Sequence, residues 1–234
     1  MRSFLLILFS TVSIFSFGQR TVDVGKTDLN VTSPNIMFTV GGTPFVNAKF
    51  AKIVSGSPFF YEEWLKGNVF MNGGKEYSGL FLKLDLLDNE LHYLDQSGVE
   101  MVSTSELQKL VLFDTIAQQV FTFINSSFIN SGNLPQKGWY LLLSTGNASL
   151  FKKLHKVVRE NQPYNSATVE QHVETSSRYF VLYENVFTEI KKIKDVPDIL
   201  IDKKEQLLKY IKENNLKGKT DKEFLTLLNF YNGV

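Results

Sequence analysis

The sequence predicts a mainly β protein of the α+β kind, an antiparallel meander folded as a sandwich or a curved half-barrel and closed by two short C-terminal helices. Three observations carry this. Apolar and polar residues alternate with period two from residue 64 to about 190, short polar turns recur between the alternating runs, and only from about residue 196 does the period become helical. The composition agrees, since 43% hydrophobic residues with 20 Phe and 9 Tyr describe a folded globule that favours strands.

The first segment stands outside that pattern. Arg2 is followed by apolar runs over residues 4–9 and 12–17 and then by the small residues Ser16 and Gly18, the order of a secretory signal peptide. A membrane span needs roughly 20 apolar residues, and Ser10, Thr11, Ser13 and Ser16 interrupt this run. Cleavage between Gly18 and Gln19 is expected, leaving residues 19–234 as a single β-rich domain in the periplasm or secreted.

The chain has no cysteine, which excludes a lipoprotein anchored at its cleavage point, disulfides and thiolate metal sites. The core alone must hold it. With 25 basic and 24 acidic residues the net charge is +1, so there is no electrostatic footprint for nucleic acid. After Gly18 no apolar run is long enough for a transmembrane helix.

Between residues 19 and 56 the signals are loose, and short strands are expected near 36–40 and 45–54. Residues 64–71 then alternate, with Leu65, Val69 and Met71 on one face, and run into Asn72-Gly73-Gly74, which accept the positive φ of a hairpin turn. The return strand, 77–86, sets Leu80, Leu82, Leu84 and Leu86 against a polar phase of Gly79, Phe81, Lys83 and Asp85.

Asp88-Asn89 is the next turn, 90–94 the next strand, and Gln96-Ser97-Gly98 the turn before 99–103. Strands at 107–113 and 120–124 follow. The polar loop 125–138 is the best place for a subdivision of the domain. Beyond it, strands are expected at 139–143, 150–158, 169–175, 179–183 and 187–190, with turns at Gly146-Asn147, Pro163-Tyr164-Asn165, Ser176-Ser177 and Glu184-Asn185. In 169–175, Val169, Gln171, Val173 and Thr175 oppose Glu170, His172 and Glu174.

Helices end the chain. Asp202 and Glu205 have capping-box spacing before Leu207, Leu208 and Ile211; Thr220 and Glu223 repeat it before the stripe Phe224, Leu225, Leu227, Leu228 and Tyr231. Helices this short are marginal alone and must dock on the sheet or on each other.

Motifs with chemical content are few. His92, His155 and His172 fall at no ligand spacing, and Glu170, His172 and Glu174 diverge along one strand face, which reads as solvated. Gly56-Ser57-Pro58 lacks the strand-turn-helix setting of a nucleophile elbow, and Gly41-Gly42 and Gly73-Gly74 open no helix that cradles phosphate. The carboxylate pairs Glu62-Glu63 and Asp85 with Asp88 read as exposed acids. Asn30, Asn125 and Asn147 fit the short N-glycosylation pattern. The candidate ligand contacts are therefore aromatic: Phe59, Phe60, Tyr61 and Trp64, clustered ahead of the first hairpin.

The run from Gly56 to Trp64, the Gly73-Gly74-Lys75-x-Tyr77 turn, the meander from Leu84-Asp85-Leu86 to Asp95-Gln96-Ser97-Gly98 and the ending Leu227-Leu228-Asn229-Phe230-Tyr231-Asn232 resemble uncharacterised exported proteins of Bacteroidota-type bacteria. That resemblance implies export and brings no established activity with it, so no residue inherits a role from it. It also implies a setting in which Asp114-Thr115-Ile116 has the form of an O-glycosylation site, at Thr115. The expectation for function is a non-catalytic binding or structural component of the cell envelope with no cofactor, its partner an envelope protein, glycan or lipid. The alternatives are a periplasmic carrier holding a lipid or other apolar ligand in the curved sheet, and a hydrolase without a recognisable motif.

Overall fold

In a computed structural model the described residues are 21–23, 41–45, 51–133, 135–162, 164 and 169–233. The expected signal segment 1–18, the strand at 36–40, residues 46–50 of the next strand and most of the 163–165 turn lie outside them.

The chain is mainly β, as its alternation requires. The strands are β1 Thr21–Asp23, β2 Gly42–Pro44, β3 Ala51–Ser55, β4 Leu65–Met71, β5 Glu76–Leu84, β6 Leu91–Leu94, β7 Glu100–Ser103, β8 Leu107–Asp114, β9 Gln119–Asn125, β10 Trp139–Ser144, β11 Ala148–Asn161, β12 Val169–Tyr183 and β13 Val186–Ile190. They form one sheet in the order β13-β12-β11-β10-β9-β8-β4-β5-β6-β7-β2, with β1 added to β5 and β3 added to β12. Those two additions are parallel and every other pairing is antiparallel. Of the two expected forms the structure has the curved single sheet.

Curvature shows in what the strands share. Leu65 and Val69 of β4, Leu80, Leu82 and Leu84 of β5, Leu110 and Leu112 of β8, Phe123 of β9 and Trp139 and Leu141 of β10 belong to one buried cluster. Each projects from alternate positions of its strand, so the period-two rhythm becomes the dry concave face. Burying a leucine in this way is worth about 1.5–3 kcal/mol.

The β4–β5 hairpin turns through Gly73 and Gly74 at φ 91° and 84°. Its ladder shifts register between Gly67 and Val69, opposite Gly79 at φ 74°. That bulge lets both flanking leucine sets face inward.

Three expectations need correction. Asp85, assigned to the wet phase of its strand, is buried at 5% exposure. Its Oδ1 accepts the backbone N–H groups of Leu87 and Asp88, so the carboxylate closes the turn rather than facing water.

Ser176-Ser177 is not a turn. Both residues pair with β11, Ser176 with His155 and Ser177 with Leu154, and β12 runs through them unbroken. A continuous ladder outweighs a local preference of small polar residues for turns.

The C-terminal segment holds three helices rather than two: α1 Val196–Ile199, α2 Lys204–Glu213 and α3 Asp221–Asn232. The first capping box does not form. A 3-10 turn at Ile201–Lys203 precedes α2, no side chain caps it, and Asp202 instead accepts the Tyr231 hydroxyl at 3.1 Å on both carboxylate oxygens. The second box forms as expected, between Thr220 and Glu223.

Helices dock on the sheet where their stripes predict. Leu207 and Ile211 of α2 and Phe224, Leu227, Leu228 and Tyr231 of α3 pack on Ala148, Leu150 and Val181. Lys152 of β11 grips Asp221 at 2.9 Å, and Tyr179 donates to the same carboxylate. On the opposite face Ile129 of the 126–138 loop packs against Tyr140, Phe151, Phe180 and Phe187. Lys153 reaches up from that face to donate to the carbonyls of Gln136 and Lys137. The strands on either side of this loop, β9 and β10, are paired neighbours in the one sheet.

Candidate functional site

Because the sheet curls, its margins come to face one another. β3 runs along the outer half of β12, Ala51 beside Val169 through Ser55 beside His172. Gly56 follows at φ 74°, where a Cβ would fall 2.0 Å from the Val173 carbonyl oxygen, so only glycine lets the chain leave β12 this closely. Residues 58–60 then lie along the end of β5, with Phe60 donating to the Leu84 carbonyl at 2.8 Å and Leu86 to that of Pro58 at 3.0 Å.

Between these margins lies a half-open cleft of about 690 Å³. One wall is β11–β12 with β3, through Val158, Gln171, Val173 and Ile53. The other is β6–β7 with the residue after β2, through His92, Glu100 and Phe45, while Phe59 and the β5–β6 corner form the floor.

His92 organises the floor. It is buried, its ring between Phe45 at 4.8 Å and Phe59 at 5.2 Å between centroids. Its Nδ1 lies 2.7 Å from Glu100 Oε1 and its Nε2 4.0 Å from Glu90. The Nδ1 contact to Glu100 and the two neighbouring rings hold the imidazole in place.

The lining is strongly acidic against a chain of net charge +1. Glu62, Asp85, Asp88, Glu90 and Glu100 line the cleft with a single lysine, Lys83. Two of the five carboxylates have structural partners, Asp85 in its turn and Glu100 on His92. Glu62 and Asp88 have no hydrogen bond or ion pair among the described residues, and Glu90 has only the long contact to His92. Lys83 turns to the rings instead, its ammonium 5.1 Å from the Phe59 centroid and 5.0 Å from that of Trp64.

The four aromatics therefore separate. Phe59 lines the cleft. Trp64 stands over Lys83 at its edge. Phe60 and Tyr61 turn inward: Phe60 meets Phe121 and Phe123 edge-on at 4.9 Å, and Tyr61 packs on Phe121 at 5.6 Å. Burial, with Asp114 beside its hydroxyl, holds the Tyr61 phenol above its ordinary value.

The other candidates are scattered. His155 is exposed on β11. Glu174 pairs with Arg159 at 2.6 Å and His172 with Ser55, so the Glu170, His172 and Glu174 row does not converge, and no group of three metal-ligating side chains occurs among the described residues. Glu62 lines the cleft but Glu63 does not; Asp85 and Asp88 both line it. Thr115 is exposed in the β8–β9 turn, which Asp114 closes by accepting the N–H groups of Ile116 and Ala117. Asn147 is exposed beside the β10–β11 turn and Asn125 caps the 3-10 turn at Ser126–Phe128.

Two pairs had no signal in residue spacing. Ser55 Oγ lies 2.8 Å from His172 Nδ1, joining residues 117 apart, a hydroxyl–imidazole contact whose ring no carboxylate orients among the described residues. His92 and Glu100 meet across the β6–β7 hairpin, where His92 is level with Val102. The meander reading put these strands side by side, and taking it to register level would have found that pair.

No helix among the described residues is long and apolar enough to cross a membrane, which says nothing of strands. The chain matches no family model, no curated protein and no solved structure.

Proposed function

We propose that the chain is an exported, non-catalytic binding component of the cell envelope that meets its partner in the cleft between the margins of its sheet. One observation carries the reading. The concave face is filled by the protein's own leucines and aromatics, whereas the cleft sets an aromatic floor beside five carboxylates and a single lysine of its lining. Rigid apolar walls with a few placed polar groups are what binding sites are made of, and about 690 Å³ lies within the range such sites occupy. Export rests on the basic, apolar and small-residue order of residues 1–18.

Native mass spectrometry of the chain drawn from its own host tests this. A mature chain beginning at Gln19, with no retained small-molecule mass, is the expected result. A retained lipid mass would replace the reading with that of a carrier, and a cytoplasmic chain still bearing residues 1–18 would remove export.

A further inference from the structure

The dipeptide Asn-Gly occurs twice in the chain, at 72–73 and 232–233. In this dipeptide the main chain readily attacks the asparagine side chain before it, because glycine puts no Cβ in the way of its own nitrogen. The two copies sit in opposite settings.

Asn72 and Gly73 lie exposed at the tip of the β4–β5 hairpin. Gly73 and Gly74 stand at φ 91° and 84°, and a Cβ on either would meet nothing within 4 Å. The turn is held by the N–H groups of Met71 and Gly74, which donate to the carbonyls of Lys75 and Met71. That of Gly73 makes no hydrogen bond among the described residues. The Asn72 side chain donates from Nδ2 to Glu106 Oε2 at 2.9 Å, in a pair exposed to water. One solvated bond therefore holds the amide, and the attacking nitrogen is open.

Asn232 and Gly233 close α3. The Asn232 amide is used on both sides, accepting the Ala148 N–H and donating to its carbonyl. The Gly233 N–H is engaged as well, donating to the carbonyls of Asn229 and Phe230. Reaction there needs the end of the helix to open first.

We propose that Asn72 is a site of self-modification, its amide lost through a succinimide formed with Gly73, while Asn232 is held inert by its contacts with Ala148. The Gly73 nitrogen bonds to Asn72 Cγ as the Cγ–Nδ2 bond breaks, and the side-chain nitrogen leaves as ammonia with the proton that Gly73 gives up. Water then opens the ring at one carbonyl or the other, giving aspartate or isoaspartate. Either product sets a second carboxylate where the donor to Glu106 had been, and like charges so placed on neighbouring strands destabilise the pair.

The test is peptide mass spectrometry of the chain after incubation at neutral pH, folded and in guanidinium chloride, with amide-to-acid conversion followed in the tryptic peptides 67–75 and 223–234. Folded, 67–75 converts on the order of tenfold faster than 223–234. Unfolded, the two differ by no more than about threefold, since neither setting survives. N72Q abolishes conversion in 67–75, which separates Asn72 from Asn68 of the same peptide, and leaves 223–234 unchanged. Equal conversion of the two peptides in the folded chain overturns the proposal, as does a folded 67–75 that stays intact while the unfolded chain reacts. The same ratio in both states also overturns it, because the fold would then protect nothing. N72D, which is the aspartyl product, melts roughly 1–3 °C below the wild type, and the difference disappears in an E106Q background. A difference that survives E106Q refutes the part given to Glu106.

Discussion

The side-chain amide of Asn133 pairs with both backbone groups of Phe187, accepting its N–H at 2.7 Å and donating to its carbonyl at 2.6 Å. The amide stands where the next strand would be. β13 is an edge of the sheet, and an edge with free backbone groups recruits other chains. Gly132 continues the cover by donating to the Asn185 carbonyl.

Replacing Asn133 by alanine removes both bonds and exposes the edge. The expected cost is about 1–3 kcal/mol, read as a melting temperature lower by roughly 2–12 °C for a chain of this size. Asn133→Asp keeps the acceptor but sets an anion against the Phe187 carbonyl, and should be no better than alanine. Full stability in N133A would show that the loop does not hold the edge.

A second asparagine uses the same device at the other end of the chain. Asn232 accepts the Ala148 N–H at 3.1 Å and donates to its carbonyl at 2.9 Å, tying the end of α3 to the β10–β11 turn. Gly146 permits this approach, because a Cβ there would fall 2.4 Å from Asn232 Cγ. Gly146→Ala and Asn232→Ala should each destabilise the protein, and the double variant should cost less than their sum, since both break one contact. Strict additivity in a thermal-melt cycle would refute the coupling.

These clamps explain how far the fold could be read from residues. The alternation in β4, β5, β8 and β10 and the positive φ at Gly73, Asn89, Gly98 and Asn185 are local, so strands and most turns were legible. Asp85 misled because its polarity is satisfied by backbone two and three residues on, which a period-two pattern does not register. Ser176 and Ser177 misled because their partners, His155 and Leu154, decide their conformation. The cleft was illegible for a deeper reason. It exists because curvature brings β3 and β12 opposite β6 and β7, and alternation specifies which face is dry without specifying how far the sheet bends. Phe59 could be picked as an aromatic in the right run; its company of His92 and Phe45 could not.

The two capping-box sequences should differ in a mutational test. Thr220 accepts the Glu223 N–H and Glu223 accepts that of Thr220, so Thr220→Ala should cost about 1 kcal/mol. Asp202 caps nothing and receives the Tyr231 hydroxyl. Asp202→Ala should therefore couple to Tyr231→Phe in a double-mutant cycle, while Thr220→Ala should not. Helix content and melting temperature measure both.

Alkaline pH should open the molecule through its tyrosines. Burial pushes the Tyr140 phenol up to about 12, and its hydroxyl donates to the Gln136 carbonyl. Burial also raises Tyr179, with Asp221 against its hydroxyl, and Tyr231, with Tyr183 and Asp202 beside it. In each case the folded value lies above that of the unfolded chain, so the native state holds the proton more tightly. The contribution is fully present below the ordinary phenol value of about 10 and is lost as pH rises from there toward 12 and beyond. Melting temperature should fall over that window, in step with tyrosinate absorbance. Tyr140→Phe removes one titrating group together with its bond to Gln136, so the variant should start lower at neutral pH and lose less between pH 10 and 12. An unchanged slope in that variant would mean that Tyr140 does not carry the alkaline limb.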